Sequence, residues 1–477
     1  MEKNTFDKLL LISIDTLRSD CLNINPFDLW TKKYNVKNKP VTTPVDKLAQ
    51  SGVFLANCLS AAPYTSASHA TVFTGCWPLR HGLHEFFNNK LSKPSLFSIA
   101  KNKNYKTIFK TDFPVILGEY LGFTTHVDRY LIEDDDGFVD EFLKSEKSIG
   151  FAHFGGVHIP YGFHNLKFGG DAYRNTVTDL ISEINTKLDI PSDQLLETYR
   201  SKEDRELLLH YKAIIQYYYE NGNYDRLFEL YIDGITHFMK TRFDKFLKTI
   251  MSSVDIERTL IVLFGDHGEE YDKDSYGHHN TLNEGVLRVP VIFVGGDLPS
   301  RIIKERTRTV DIAPTILDLM GWSDSKTDMD GESIEDVFFD NQTLHSRPCF
   351  SQAWTSDTDE FVAFQKKLFQ QDSFSEKLRH VLYKESCTDG NFKVLKQYFF
   401  YGEHGGISGL KKGQAHTSYF QYDDQCFPNE TQESEVFMQL EEQLKTYNKL
   451  LKLDSNYNVG SIPEELRIML RDIGYRI

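Results

Sequence analysis

The chain has 477 residues, of which 40% are hydrophobic and 26% are charged, an ordinary balance for a globular protein. Asp and Glu total 69 against 54 Lys and Arg, so the formal net charge is -15. Such a surface repels nucleic acid and anionic lipid, and no stretch approaches the ~20 apolar residues that cross a bilayer. The composition therefore argues against nucleic acid as a partner and predicts no membrane span.

Short apolar runs predict a series of buried strands separated by helical patterns. The predicted strands are Lys8–Ile14, Tyr105–Lys110, Ile149–Phe154, Thr259–Phe264 and Val289–Val294. The predicted helices of this part are Val45–Ser51, Ser68–Thr74 and Asp311–Met320, with a largely helical stretch over Asp171–Ser253. Fully apolar strands alternating with helices are typical of an α/β fold, a mostly parallel sheet with helices on both faces.

The pattern changes after about Asp340. The strands Phe392–Tyr401 and Thr417–Tyr422, followed by the helix Ser434–Leu453, predict a smaller α+β subdomain. We therefore predict a catalytic α/β domain over residues 1–340, with a helical insertion over 171–224, and a C-terminal subdomain over 341–477.

Six cysteines are scattered along the chain without CxxC spacing. This pattern predicts free thiols in a reducing compartment rather than a disulfide framework. The first residues lack the cleavage site of a signal peptide, because their short apolar run leads directly into Asp15. We expect a cytoplasmic protein.

Acidic and imidazole side chains follow two of the predicted strands. Asp15 follows Lys8–Ile14, and Asp266 with His267 follows Thr259–Phe264. The carboxyl ends of parallel strands are where such sheets bind ligands, and this set of donors suits a divalent cation. The alternative is that Asp266 caps a helix and His267 lies at the surface; from this short motif alone the two readings are about equal.

Thr65 and Ser68 precede an apolar helical turn. The N–H groups and dipole at a helix N-terminus stabilise an oxygen anion, so a hydroxyl there can act as a nucleophile. The same residue types commonly cap a helix by accepting bonds from its backbone. The pattern alone favours capping.

His158, His278 and His279 lie in segments that follow predicted strands. Imidazole can ligate a metal, protonate a leaving oxygen or hydrogen-bond an anion. A single histidine is more often structural, whereas three in such positions shift the balance towards function.

In chain order, these segments resemble the sulfatase branch of the alkaline phosphatase superfamily. The matching segments are Thr43–Ala49, Ser51–Val53, Ala62–Gly75, Arg80–Gly82, His158–Tyr161, Asp266–Gly268, Thr281–Glu284, Arg288–Pro290, Asp311–Thr315 and Asp330–Ser333. The resemblance covers about residues 8 to 335 and implies a metal-dependent enzyme acting on phosphate or sulfate esters.

The resemblance also implies roles for individual residues. Asp15, Asp266 and His267 match the metal ligands, and Thr65 stands at the nucleophile, where it also touches the metal. Thr16 stands where many members carry a second Asp.

Further roles concern the substrate. His158 and His279 resemble groups that hold the anionic ester or protonate the leaving group, and the adjacent His278 can take either duty. His69, which replaces an Arg of the family pattern, is expected to contact the substrate.

Two departures from the family pattern bear on the chemistry. Sulfatases make their nucleophile, formylglycine, from a Cys or Ser, and Thr65 cannot be converted in that way. Ala67 replaces the Pro of that motif, and Asp112 stands where sulfatases carry a Lys that helps to bind sulfate. Both departures resemble the threonine-using phosphodiesterases and phospho-group transferases of the superfamily.

We therefore expect a hydrolase or transferase that cleaves phosphate mono- or diesters with Thr65 and one divalent ion, Ca, Mg, Mn or Zn, with a second ion left open. The partner is an anionic ester, with a glycan or a lipid head-group among the options. Sulfate ester hydrolysis without formylglycine and a non-catalytic binding protein remain as alternatives. The insertion and the loop Tyr401–Thr417 are expected to shape specificity.

Overall fold

The computed structural model describes residues 6–84, 90–161, 168, 170–184, 188, 190, 202–279, 281–339, 344–354, 382–398 and 415–453. Its strands are β1 (Lys8–Ile14), β2 (Val53–Leu59), β3 (Lys106–Thr111), β4 (Arg129–Ile132), β5 (Ser148–Phe154), β6 (Thr259–Gly265), β7 (Glu270–Asp272), β8 (Ser275–Gly277), β9 (Arg288–Val294), β10 (Arg301–Ile303), β11 (Thr307–Arg308), β12 (Cys349–Trp354), β13 (Leu382–Thr388), β14 (Phe392–Tyr398), β15 (Ala415–Tyr422) and β16 (Pro428–Thr431). Its α-helices are α1 (Trp30–Lys33), α2 (Thr43–Gln50), α3 (Thr65–Thr74), α4 (Pro78–His81), α5 (Leu96–Asn102), α6 (Asp135–Lys144), α7 (Gly170–Glu183), α8 (Lys202–Glu220), α9 (Tyr224–Phe238), α10 (Asp244–Ser253), α11 (Glu284–Leu287), α12 (Ile312–Leu319), α13 (Glu335–Phe339) and α14 (Glu435–Leu453).

The main sheet has the strand order β10-β2-β9-β6-β1-β5-β3-β4, with β11 beside β2. All its described pairings are parallel except those of β9 with β2 and β6. The predicted mostly parallel sheet is confirmed, and the five predicted strands lie within one residue of the observed ones. Strand β2, next to β10 at one end of the sheet, was not predicted, because Asn57 interrupts its short apolar run.

The reversed direction of β9 follows from its connection to β6. The described residues between them form the small hairpin β7–β8 and the four-residue helix α11. No long helix carries the chain back across the sheet, so β9 starts at the edge where β6 ends and runs antiparallel to it. The apolar character of this strand reflects its central position and says nothing about its direction.

Strand β1 shows how the sheet builds a core on both of its faces. Leu10, Ile12 and Ile14 belong to one buried hydrophobic cluster, whereas Leu9 and Leu11 belong to another. Successive side chains of a strand point to opposite faces, so a strand covered on both sides is mostly apolar. The polar side chains that directly follow such a strand therefore lie at the end of the sheet where the strand stops.

Helices α7 to α10 form the long helical stretch that the sequence predicts. A five-residue π-helical segment, Met239–Phe243, joins α9 to α10 without a break in direction. No helix in the described ranges is long and apolar enough to cross a membrane.

A second sheet contains β12 to β16 in sequential antiparallel order. Helix α14 packs on it, and Phe437, Leu440 and Leu444 enter the same buried cluster as Cys387 and Val394 of the sheet. This confirms the predicted separate C-terminal α+β unit. Most of the predicted specificity loop Tyr401–Thr417 lies outside the described residues.

Candidate active site

The ends of β1 and β6 bring the first two predicted site residues together. The two strands are adjacent and parallel, with Ile14 paired to Gly265, so Asp15 and Asp266 follow at the same edge. One side-chain donor atom each from Asp15, Asp266 and His267 lies within 4.8 Å of the others, and all three residues are fully buried.

Thr65 lies beside this group at the start of α3. Its Oγ1 is 3.2 Å from Oδ2 of Asp15 and 3.4 Å from Nε2 of His267. Tyr64 is the N-cap residue, and the Thr65 hydroxyl bonds the Asp15 carboxylate rather than capping the helix. Ser68 does not cap either, because its hydroxyl donates to the carbonyl of Ala62. The helix therefore presents the threonine oxygen to the carboxylates.

The two carboxylates each leave one oxygen without a hydrogen bond. Oδ1 of Asp266 accepts from the backbone N–H groups of Thr16 and His267 at 3.1 and 2.9 Å. Oδ2 of Asp266 and Oδ1 of Asp15 accept no hydrogen bond from any described residue, although both are buried. Burial and the negative charge of Asp15 raise the pKa of Asp266. A bound cation could compensate two buried carboxylates in this state.

His267 completes a donor set that fits a divalent metal ion. Its Nδ1 donates to the carbonyl of Gly268 at 3.2 Å, which leaves the lone pair of Nε2 facing the carboxylates. Burial lowers the pKa of His267 to about 4, so the ring is neutral and able to ligate. Two carboxylate oxygens and an imidazole nitrogen are donors that Mn²⁺, Zn²⁺ or Mg²⁺ accepts.

Thr16 supports Asp266 through its backbone. It has a φ of 57°, which is rare for a β-branched residue and is typical of strained functional sites. Its N–H donates to Asp266, and its carbonyl accepts from the Tyr231 hydroxyl at 2.7 Å. Thr16 thus helps to orient the Asp266 carboxylate through its backbone N–H.

Three of the predicted histidines form a cluster above the carboxylates. The ring centroid of His278 lies 4.5 Å from that of His267, 4.9 Å from that of His158 and 4.0 Å from that of His279. Nδ1 of His278 contacts Oε1 of Glu269 at 2.9 Å. Burial and neighbouring histidines lower the pKa of both His278 and His279. His158 is partly exposed, so it lies nearest to solvent.

His69 lies beneath Thr65. Its Nδ1 donates to the Thr65 carbonyl at 2.7 Å, and its Nε2 accepts from the Ser13 hydroxyl at 2.8 Å. Nδ1 is also 3.6 Å from Oδ2 of Asp266. His69 has no exposed surface, and burial lowers its pKa to about 3. Contact with a substrate would require these bonds to break.

Asp112 is buried away from the cluster in an ion-pair network. Its carboxylate bonds Arg242 at 2.6 and 2.9 Å, and one oxygen lies 2.7 Å from Nζ of Lys110. Its Oδ2 also accepts from the N–H of Gly155. Asp112, which replaces a lysine of the family pattern, is therefore held by the side chains of Arg242 and Lys110.

His153 is a site residue that the sequence analysis missed. It lies on β5, is fully buried, and its Nε2 is 3.1 Å from Oδ2 of Asp15. The available signal was a histidine inside a strand that is otherwise apolar. Only the pairing of β5 with β1, which places His153 opposite Ser13, shows which residue it contacts.

The family model described as Sulfatase matches residues 7–322, about two thirds of the chain. The chain belongs to the sulfatase family. This confirms the resemblance seen in the motifs. The sulfatase-family protein is accordingly a sulfatase-like ester hydrolase, and its superfamily typically uses a divalent metal.

Solved structures with the same fold include members of several sulfatase-like groups. One is BT4656 in complex with its substrate D-glucosamine-2-N,6-O-disulfate, with a TM-score of 0.62, 12% identity and coverage of 95% of this chain and 99% of that one. Another is the phosphonate monoester hydrolase of Agrobacterium radiobacter, with a TM-score of 0.55, 16% identity and coverage of 94% and 96%. A protein of the alkaline phosphatase superfamily from Vibrio parahaemolyticus has a TM-score of 0.50, 12% identity and coverage of 94% and 88%. No curated protein matches the sulfatase-family protein significantly.

Proposed function

We propose that this sulfatase-family protein cleaves phosphate esters, including diesters, through nucleophilic attack by Thr65. The observation that carries this proposal is the contact of Thr65 Oγ1 with Asp15 Oδ2 and His267 Nε2. A threonine oxygen can attack phosphorus directly, whereas formylglycine chemistry requires a Cys or Ser at this position. The hydroxyl thus stands where both activation and attack are possible.

Asp15, Asp266 and His267 would hold the cation in this proposal. When bound, a divalent cation supplies positive charge that lowers the pKa of the Thr65 hydroxyl and offsets the charge of the ester. With two carboxylates and one imidazole, the donor set favours Mn²⁺ or Zn²⁺ over Ca²⁺, which takes roughly six to eight oxygen ligands.

Asp15 accepts the proton of the nucleophile. As the bond from Thr65 Oγ1 to phosphorus forms, its proton passes to Asp15 Oδ2 and the bond to the leaving oxygen breaks. Attack of water, or of an acceptor hydroxyl in a transferase, then breaks the bond from Thr65 Oγ1 to phosphorus, and the proton of the attacking oxygen passes to the histidine that protonated the leaving oxygen. The Thr65 oxygen recovers the proton from Asp15.

The cluster of His158, His278 and His279 binds the ester and protonates its leaving oxygen in this proposal. His278 and His279 are neutral because burial lowers their pKa values, so they act as hydrogen-bond partners of the ester. His158 is partly exposed and is assigned the proton donor of the leaving oxygen, since it can exchange protons with solvent. We assign His69 to holding the first turn of α3, because both its nitrogens already bond protein atoms.

A substrate screen tests the proposal. Aryl phosphate mono- and diesters, an aryl phosphonate monoester and an aryl sulfate are assayed with Mn²⁺, Zn²⁺, Mg²⁺ and Ca²⁺, with Thr65→Ala as the matched control. We expect a phosphate ester to have the highest kcat/KM, and turnover to vanish in the control. Preferential turnover of the sulfate would contradict the phosphate assignment. Intact cation binding without turnover of any ester would instead identify a binding protein.

A further inference from the structure

The tautomer of His153 follows from its surroundings. Its Nδ1 accepts a hydrogen bond from the backbone N–H of Asp112 at 3.4 Å and lies 3.3 Å from the Thr111 hydroxyl. A backbone N–H can only donate, so Nδ1 carries no proton and the ring proton is on Nε2. That proton points at Oδ2 of Asp15, 3.1 Å away, so His153 donates to the carboxylate.

The backbone N–H of Asp112, which orients His153, is itself held in place. The buried Asp112 carboxylate bonds Arg242 and lies 2.7 Å from Nζ of Lys110. Its backbone N–H therefore stays directed at the imidazole. On the other side, β5 and β1 are paired in register, so His153 cannot slide relative to Asp15.

The two oxygens of Asp15 have different neighbours as a result. Oδ2 accepts from the Thr65 hydroxyl and from His153, whereas Oδ1 accepts no hydrogen bond from the described residues. Oδ1 lies 3.7 Å from Nε2 of His267, which is one of the residues that would hold the cation. One oxygen of Asp15, Oδ1, is thus available to a cation, and the other, Oδ2, contacts the nucleophile Thr65.

We propose that His153 is a positioning residue that enforces this division by holding the Asp15 carboxylate in one orientation. The proposal rests on the proposed roles of Asp15 and Thr65. Without the His153 donor, Oδ2 keeps the bond from the Thr65 hydroxyl but loses its second donor, so the carboxylate is held less firmly and the alignment of Oδ1 with Asp266 and His267 is weakened. Residues that support metal ligands in this way typically contribute about 10- to 100-fold to metal affinity or activity.

The experiment measures cation affinity by calorimetry, which needs no substrate and is therefore independent of the proposed reaction. His153→Phe removes the donor, and His153→Asn keeps an amide that is too short to reach Asp15. We expect both variants to bind Mn²⁺ or Zn²⁺ about tenfold more weakly or worse. His153→Gln, whose amide nitrogen matches the reach of Nε2, is expected to remain within about threefold of the parent protein.

The matched control is His81→Phe. His81 is also fully buried and contacts the Thr71 hydroxyl at 3.1 Å, away from the carboxylates. Its loss is expected to lower the melting temperature and to leave cation affinity unchanged. Parental affinity in His153→Asn, or equal weakening in His153→Gln and His153→Asn, overturns the proposal. Activity at saturating cation is measured separately: its absence in the parent protein rejects the proposed function, and the affinity result still decides the role of His153.

Discussion

The hydroxyl of Thr65 lies 3.2 Å from Oδ2 of Asp15, although 50 positions separate the two residues in the chain. The contact joins the first turn of α3 to the residue that follows β1. It gives the hydroxyl a hydrogen-bond acceptor inside the protein.

Thr65→Ala is expected to lower kcat by at least about a thousandfold, because the nucleophile is lost. Thr65→Ser keeps the oxygen and is expected to retain measurable turnover. Both variants should bind the cation, since Asp15, Asp266 and His267 remain. The control is Thr74→Ala at the other end of α3, where the hydroxyl donates to the carbonyl of Ala70 and accepts from the N–H of Cys76. Steady-state kinetics with calorimetry checks the result, and substantial turnover in Thr65→Ala would rule out the nucleophile.

Cation binding is expected to stabilise the fold. Binding relieves the repulsion between Asp15 and Asp266, and a ligand at 100 times its Kd adds about 2.7 kcal/mol to the free energy of unfolding. We expect Mn²⁺ and Zn²⁺ to raise the urea midpoint more than Ca²⁺ at equal concentration. Asp266→Asn should abolish the increase, whereas Asp297→Asn, on an exposed loop, should preserve it. An unchanged increase in Asp266→Asn would place the cation elsewhere.

Glu284 links the two sheets, and we expect its ion pairs to make the free energy of unfolding depend on pH. It is buried, bonds Arg288, and also bonds Lys393 of β14 and Tyr422 of β15. Burial alone would raise its pKa, but Lys393 and Arg288 outweigh this effect and hold the pKa below its usual range. A carboxylate with a lowered folded-state pKa contributes stability above its unfolded pKa of about 4.3, and this contribution is lost as the pH falls below that value.

Glu284→Gln is therefore expected to lower the free energy of unfolding by about 3 kcal/mol at pH 7, because it leaves buried cations without their carboxylate. The difference from the parent protein should shrink as the pH falls from 5 to 3. Urea unfolding over this pH range measures both effects, with exposed Glu305→Gln as the control. A difference that does not change with pH would show that the charge of Glu284 is not the cause.

Loss of the Asp112 carboxylate is expected to lower the free energy of unfolding. Asp112→Asn leaves Lys110 and Arg242 with only the carboxylate of Asp135, and removing one partner of a buried ion pair costs about 3–5 kcal/mol. Asp136→Asn is the control, since its side chain is 88% exposed. Equal stability of the two variants in urea would mean that the buried network contributes little.

Several features could be predicted from local sequence. The apolar runs predicted five strands of the main sheet within a residue of their observed bounds, because a strand covered on both faces is mostly apolar. The order of the motifs predicted the family. Asp15 and Asp266 were expected at one edge of the sheet, and the register of β1 with β6 places them there. Their roles in catalysis and metal binding stay predictions.

The sequence alone thus determined the type of fold, the family and the residues capable of chemistry, because these depend on composition, periodicity and motif order. The tertiary structure decided the direction of β9, the burial of His69 beneath Thr65, the ion pairs of Asp112 and the contact of His153 with Asp15. Each of these depends on which side chains from distant segments meet. The physical reason is that strand pairing and packing set side-chain orientation, and no local pattern contains the identity of the neighbour.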